Sequence, residues 1–282
     1  MLPLFIIQSM KKTVVLIVAM VGIALTASAG SNSGAKVLYE RDGHYWSVRL
    51  MAYLVLKDTS MARQLAYFAE WPDDITDAEG NHIKSRSTWL WPWRQGLWHA
   101  LTGCSASKAR NKSIRKIKAA KDIKHKGIYL HRLGDSFAHA MKKDKRMFPL
   151  FIGHALRGHT PDKIYNFPEK YLRYVDSLAV ALGGNSANLD LAAFKYVAGS
   201  KLDSQYNMEI LKSELYIQSG VNEYMVDPAF KTVVADFLTT RQGSMGFTYS
   251  IEVKNIPWGK SSKKGATLKA TKDMAFVKFT RK

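Results

Sequence analysis

The chain has only one cysteine, Cys104, among its 282 residues. A single cysteine cannot form a disulfide within the chain, so we expect no disulfide partner for it. Stability must then come from a hydrophobic core rather than from covalent cross-links, and a chain of this length can bury such a core.

Acidic residues are also scarce. The sequence has 23 aspartates and glutamates against 42 lysines and arginines, which gives a formal net charge of +19. An excess of this size favours an anionic partner such as a phospholipid, a nucleic acid or an anionic envelope polymer. The charge alone does not choose among them, and a basic soluble protein without such a partner is equally compatible with it.

A long uncharged apolar run occurs near the start of the chain and predicts a signal peptide over residues 1–29. Lys11 and Lys12 form its charged region, Thr13 to Leu25 its apolar region, and Ala27-Ser28-Ala29 its cleavage site. We therefore predict an exported protein, periplasmic or secreted, whose mature form starts at Gly30. The apolar run is short for a membrane span, and an uncleaved anchor is the alternative.

The remaining sequence predicts a mainly α fold, a multi-helix bundle with a small C-terminal β hairpin or β-rich tail. Helical spacing of apolar residues dominates up to about residue 240, whereas Phe247 to Val253 and Ala275 to Phe279 alternate as strands do. The run Gly183-Gly184-Asn185-Ser186 is the best linker candidate. It predicts a helical metal-binding domain over 30–182 and a basic, partly β extension over 183–282.

Histidine is absent after His159, and four of the eight histidines lie between residues 128 and 162. Within that stretch His131, Asp135 and His139 are four apart, a spacing that places them on one face of a helix. The outer two are then about 12 Å apart, because each helical residue rises about 1.5 Å. This distance is too long for one ion, so Asp135 is predicted to be shared by two ions.

Further candidate ligands lie on either side of this helix. His44 stands near the start of a predicted helix, and Asp73 and Asp74 follow a helix that Pro72 ends, a position that suits a ligand or a general base. A solvated acidic turn is the alternative for the aspartate pair. His159 and Asp162 lie at a helix entrance, where each could be a ligand, a partner that orients a ligand, or a helix cap.

Two segments could contact an anionic surface. The alternation of Trp89, Trp91 and Trp93 predicts an extended stretch, and exposed tryptophans suit a lipid–water interface. Lys108 to Lys126 is predicted to be a basic helix with a narrow apolar stripe, which can lie on an anionic membrane. Burial of the tryptophans and a merely solvated basic helix are the alternatives.

The runs HRLGDSFAH and GHALRGHTPDKI resemble the all-helical metallohydrolases typified by zinc-dependent phospholipase C and the S1/P1-type nucleases, or a little-characterised bacterial family of the same architecture. The resemblance spans Asp42 to Leu178. It implies two or three zinc ions, and it implies catalytic roles for Asp73 and Asp74 in orienting or deprotonating water. The implied metal ligands are His44, Asp74, His99, His131, Asp135, His139 and His154.

Two features of the family pattern are absent. The family uses a mature N-terminal tryptophan as a ligand, whereas the mature chain is predicted to start at Gly30, and His159 is followed three residues later by Asp162 instead of glutamate. The number of ions is therefore open.

These observations favour an exported zinc-dependent phosphoester hydrolase, with phospholipid favoured over nucleic acid because of the tryptophans and the basic helix. The first alternative is a non-catalytic periplasmic or envelope protein with a structural metal site and a basic surface that binds membrane or polymer. The second alternative is an S1/P1-like nuclease.

Overall fold

The computed structural model describes residues 41–76, 82–84, 92–141, 143–150, 160–260 and 269–281. The side chains of 74–76, 82–84, 92–94, 257–260 and 269–270 lie outside this description. The described part is mostly helical with a small C-terminal sheet, which confirms the predicted fold class. In it we find nine α-helices, and none of its helices is both long and apolar enough to cross a membrane.

The first five helices build the half of the molecule that carries the histidines. A π-helical turn, Asp42–Trp46, leads into α1, and the i to i+5 hydrogen bond from the Trp46 amide to the Arg41 carbonyl is characteristic of such a turn. The helices are α1 (Ser47–Leu56), α2 (Thr59–Glu70), α3 (Pro92–Trp98), α4 (Ala106–Ala119) and α5 (Ile123–Ala138).

Four helices and the main sheet follow. The helices are α6 (Pro168–Leu182), α7 (Ala192–Gly199), α8 (Ser204–Ser219) and α9 (Lys231–Met245). Two short hairpins, β1 (Asp74–Thr76) with β2 (His82–Lys84) and β3 (Ala140–Met141) with β4 (Arg146–Met147), belong to the first half. The C-terminal sheet consists of β5 (Glu223–Val226), β6 (Phe247–Lys260) and β7 (Lys269–Arg281).

This sheet is antiparallel, in the order β5-β7-β6. In its register Val277 lies opposite Tyr224 on one side and Ile251 on the other, and alternate residues such as Ala275, Val277 and Phe279 are buried. The two strands predicted from alternation are therefore confirmed, because one face of the sheet packs on the core.

Helices α2 and α5 pack closely, and this contact fixes the position of the histidine-bearing helix. Asp58 caps α2 by accepting hydrogen bonds from the Ser60 and Met61 amides, at 2.8 and 2.9 Å. On α5, a side chain at Gly127 would overlap Phe68 of α2. The glycine lets the two backbones approach, as glycine does at close helix contacts.

One hydrophobic core extends across both halves of the chain. Its largest fully buried side chains include Tyr171 and Tyr174 of α6, Phe194 of α7 and Phe237 of α9. Residues 37–282 form one compact unit. Gly183, where the domain boundary was expected, caps α6 in a left-handed conformation with a φ of 95°.

Three helix predictions were wrong. Trp93 lies in α3 rather than in an extended stretch, since Pro92 is tolerated in the first turn of a helix; Trp89 and Trp91 lie outside the described residues. The basic segment is not one helix, because Asp122 caps a new helix through the His125 amide at 2.9 Å. The helix whose entrance was predicted at His159 and Asp162 starts at Pro168, after two 3₁₀ turns.

Candidate metal centre

His44 enters the centre from the π-helical turn. Its ring lies against α5, where a Cβ atom at Gly134 would be only 2.9 Å from His44 Cε1. The turn is anchored by Asp42, whose carboxylate accepts hydrogen bonds from the Gly43 amide at 2.8 Å and from Asn207 Nδ2 at 2.9 Å. A buried, hydrogen-bonded turn thus presents His44 in one orientation, and Gly134 provides the space for it.

Helix α5 supplies His131, Asp135 and His139 along one face. The first two are in the helix, and His139 is the residue that follows its last turn, with its amide donating to the Asp135 carbonyl at 2.9 Å. His139 was expected within the helix. The helix ends one residue earlier, since the strand β3 begins at Ala140.

Asp73 and His99 complete the cluster from two chain segments that follow helices. The amide of Asp73 donates to the Glu70 carbonyl at 3.0 Å, just beyond α2, and the amide of His99 donates to the Gln95 carbonyl at 3.1 Å, just beyond α3. Both side chains are buried, as are the other members of the cluster. The hydrogen bonds to the ends of α2 and α3 therefore fix the backbone positions from which the Asp73 and His99 side chains enter the cluster.

One set of four donor atoms is formed by His99 Nδ1, His131 Nε2, Asp135 Oδ2 and Asp73 Oδ1. Five of the distances among these atoms run from 2.9 to 3.7 Å. Ligands about 2.1 Å from a tetrahedral ion lie about 3.4 Å from one another. His99, His131 and Asp135 therefore lie close enough to offer one atom each to a metal ion, and so do His44, Asp73 and His131.

A second set uses the other oxygens of the same two carboxylates. His44 Nε2 lies 3.2 Å from Asp135 Oδ1 and 3.8 Å from Asp73 Oδ2, and His139 Nδ1 lies 3.7 Å from Asp135 Oδ1. Asp135 thus faces two imidazoles with each oxygen. That two ions share Asp135 stays a prediction.

Hydrogen bonds on the far sides of two rings select their tautomers. His131 Nδ1 donates to the Ala69 carbonyl at 2.8 Å, and His139 Nε2 donates to Asp162 Oδ1 at 3.0 Å. In neutral His131 the opposite nitrogen, Nε2, then faces the cluster with its lone pair, and Nδ1 of His139 does so once that ring has lost its second proton. Metal-binding histidines typically have such an outer partner, which is the orienting role considered for Asp162.

The electrostatics of the cluster keep most of its groups in the form that binds a metal. Burial, followed by the proximity of His44, lowers the pKa of His131 to about 4, and burial also lowers the pKa of His99. Burial opposes ionisation of Asp135, but the proximity of His131 and His139 and the hydrogen bonds from the surrounding imidazoles outweigh it and hold the pKa of Asp135 well below its usual range. His131 and His99 are therefore neutral and Asp135 is ionised at pH 7.

His139 differs from the other histidines. Burial alone would lower its pKa, but the charge of Asp135 and the hydrogen bond to Asp162 outweigh burial and raise it. A histidine held between two carboxylates retains a proton more readily than an isolated one. His139 therefore keeps its proton to a higher pH than His99 and His131 do.

The buried histidine and aspartate groups could hold a metal ion. Five of the predicted ligands are brought together: His44, His99, His131, Asp135 and His139. The aspartate that joins them is Asp73, and the side chain of Asp74 lies outside the described residues, as do His154 and His159. Sequence reasoning missed the Ala69 carbonyl, because the sequence carries no signal for a backbone acceptor.

Comparisons of the chain with models of protein families, with curated proteins and with solved structures find no match.

Proposed function

We propose that the protein is an exported, zinc-dependent hydrolase of phosphoesters. One observation supports the proposal above all others. Four imidazoles and two carboxylates converge from four chain segments, and they include two groups that could each hold a metal ion: His44 with Asp73 and His131, and His99 with His131 and Asp135. Imidazole and carboxylate ligands suit zinc, and shared carboxylates are typical of sites that hold two ions.

The residues present fit such a centre because Asp135 has no lysine or arginine partner in the described part of the chain. Its contacts are imidazoles. When bound, zinc would polarise a phosphoryl oxygen and lower the pKa of water towards 7. Asp73 would orient the attacking water and accept its proton, or Asp74 would do so from the adjacent position. Asp162 would hold the ring of His139 in place throughout.

The burial of the cluster favours one alternative, a non-catalytic envelope protein with a structural metal site. The side chains of His44, His131 and Asp73 have no exposed surface. Structural zinc has four protein ligands, whereas catalytic zinc keeps one position for water. The two functions therefore differ in whether a small ligand reaches the ion.

The basic face of α4 supports an anionic lipid surface as the place of action. Lys108, Lys112 and Arg115 are exposed on the side of α4 opposite its buried residues Ala109 and Ile117. The spacing of three and four residues puts the three cations in one row. A row of cations on an exposed helix attracts phospholipid headgroups, and nucleic acid is the second polyanion to be tested.

Elemental analysis of the purified mature protein tests the metal. We expect at least one equivalent of zinc in the wild type. We expect less than about 0.2 equivalents in Asp135→Ala, because this variant lacks a side chain that is proposed to bind the ion directly. Asp176→Ala is the matched control, because Asp176 is an exposed aspartate of α6. A bound transition-metal content below one equivalent in the wild-type protein would refute the proposal that it is a metal-dependent hydrolase.

Substrate assays then choose the reaction. Release of a phosphorylated headgroup from vesicles, abolished by a chelator, is expected, whereas release of nucleotides from single-stranded DNA or RNA would favour the nuclease. A metal-loaded protein that hydrolyses no phosphodiester, and whose ion admits no small ligand, would favour the structural alternative.

A further inference from the structure

A cavity of about 630 Å³ lies directly behind the outer edge of the metal centre. Among the residues that line it, Ala138 and Ala140 flank His139, and Pro161 precedes Asp162. The lining residues are therefore sequence neighbours of both members of the hydrogen-bonded pair, His139 and Asp162. A ligand in the cavity would therefore contact the neighbours of His139 and Asp162 rather than these two side chains, which are buried.

The charged residues that line the cavity are predominantly cations. Lys143, Lys170 and Arg173 line it together with Asp144 and Glu169. Asp144 is already paired, because Arg173 Nη1 lies 3.0 Å from its carboxylate and Arg110 holds it from α4 through two nitrogens. Arg110 thus adds a further positive charge next to the cavity. The balance favours an anion.

The turn that carries Lys143 is held in an unusual conformation. Lys143 and Asp144 both have left-handed backbones, with φ of 54° and 70°, in the turn that joins β3 to β4. This conformation is unfavourable for residues other than glycine, because it brings the Cβ atom too close to the following carbonyl oxygen. The pairing of Asp144 with Arg110 and Arg173 offsets this cost and keeps Lys143 at the cavity wall.

The remaining walls are apolar. Phe148 packs on His139, with the ring centroids 6.2 Å apart, and Phe167 lies beneath Lys170, whose Nζ is 4.5 Å from the ring centroid. Lys170 Nζ also donates to the Ala140 carbonyl at 2.8 Å, so its charge is fixed at the edge of the apolar surface. Small-molecule sites typically combine apolar walls with a few fixed polar groups.

We infer that this cavity binds a phosphate-bearing small molecule with an apolar or aromatic portion. The cations hold the phosphate, and Phe148 and Phe167 hold the apolar portion. That the bound molecule is part of the substrate rests on the proposed hydrolase, whereas the binding itself does not. The ligand could be the headgroup end of a lipid or a free phosphomonoester, which share this chemistry.

A calorimetric titration of the complete mature protein with phenyl phosphate tests the inference. The double variant Lys143→Gln/Lys170→Gln removes two cavity cations, and we expect phenyl phosphate binding to weaken at least about tenfold, as loss of charge-assisted contacts predicts. The control variant Lys195→Gln/Lys231→Gln removes the same charge from exposed lysines of α7 and α9 that do not line the cavity. Its affinity should stay within twofold, and inorganic phosphate should bind more weakly than phenyl phosphate.

The other outcomes are equally defined. Unchanged binding in the cavity variant, or an equal loss in the control variant, would overturn the inference. Loss of binding on chelation but not in the cavity variant would place the phosphate at the metal and also overturn it. A vesicle containing a phosphorylated headgroup lipid that competes with phenyl phosphate would identify a lipid source, and a soluble phosphomonoester that alone competes would identify a free ligand. Cavity binding by a protein without hydrolytic activity would refute the proposed function and leave the cavity site standing.

Discussion

Two of the polar networks buried in the described part of the chain differ in how their charges are balanced. In the C-terminal half, Glu214 of α8 is fully buried and accepts hydrogen bonds from Arg241 Nε and Nη2, both at 2.8 Å. Gln218 donates to the same carboxylate at 2.8 Å, and Asp190 binds Arg241 as well. In the metal centre, by contrast, Asp135 faces four imidazoles.

The difference indicates which network is complete. A buried carboxylate paired with an arginine fork has the cation it needs. Asp135 instead accepts hydrogen bonds from His44 and His99, at 3.2 and 2.9 Å, and no lysine or arginine of the described residues pairs with it. Burying such a charge is costly unless a cation compensates it, so the centre is expected to depend on an added ion, whereas the arginine network is not. Four experiments test this contrast.

Removal of the shared carboxylate should give the largest effect. We expect Asp135→Asn to weaken metal binding by more than about 100-fold, beyond what loss of an outer partner causes, and to abolish hydrolysis. Competition with a chromophoric chelator measures the affinity. Asp176→Asn should bind metal as the wild type does, and full metal retention by Asp135→Asn would contradict the assignment of the centre.

Disruption of the complete network should affect stability without affecting the metal. Replacing the cation in Arg241→Met leaves Glu214 buried and unpaired, which costs about 3 to 5 kcal/mol. Urea unfolding gives the free energy, and elemental analysis should find the wild-type metal content. A lower metal content in folded Arg241→Met would show that the two networks are coupled.

Metal removal should give the converse result. A ligand present at about 100 times its Kd stabilises the folded state by about 2.7 kcal/mol. This corresponds to a fall in Tm on the order of 5 to 10 °C on chelation, reversed by zinc. The same shift is expected in Arg241→Met from its lower starting Tm. A Tm that does not respond to chelator in the wild type would mean that the cluster is stable as a hydrogen-bonded core.

The smallest effect is expected at Gly134. An alanine Cβ there would lie 2.9 Å from His44 Cε1 and 3.1 Å from Nδ1, so His44 must shift by a few tenths of an ångström. We expect Gly134→Ala to weaken metal binding about tenfold while the free energy of unfolding changes by less than about 1 kcal/mol, because alanine favours the helix. Gly243→Ala, in α9 with open space around the glycine, should only stabilise. Equal metal affinity in both variants would remove the role of Gly134.

Some parts of the centre could be predicted from sequence because their geometry is local. A spacing of four along one helix places His131 and Asp135 on one face whatever the rest of the chain does. The choice between Asp73 and Asp74 could not be predicted in this way, because the side chains of adjacent residues beyond a helix end point in different directions. Only the tertiary structure places Asp73 between the two donor sets.

Other parts could not be predicted because no local signal marks them. Arg241 and Glu214 are 27 residues apart, on two helices whose packing decides their contact. The break between α4 and α5 depended on a single cap, Asp122, within a uniformly basic run. The alternating strands near residues 250 and 277, by contrast, were visible because a two-sided sheet imposes a period of two.

The π-helical turn at Asp42–Trp46 makes the centre sensitive to chain length as well as to side-chain identity. An i to i+5 hydrogen bond accommodates one residue more than the i to i+4 bond of an α-helix. Deleting a residue between His44 and α1, such as Tyr45, would restore ordinary helical geometry and rotate His44 by about 100° about the helix axis. His44 would leave the cluster although every ligand was still encoded, so a one-codon deletion here would act as a loss of ligand.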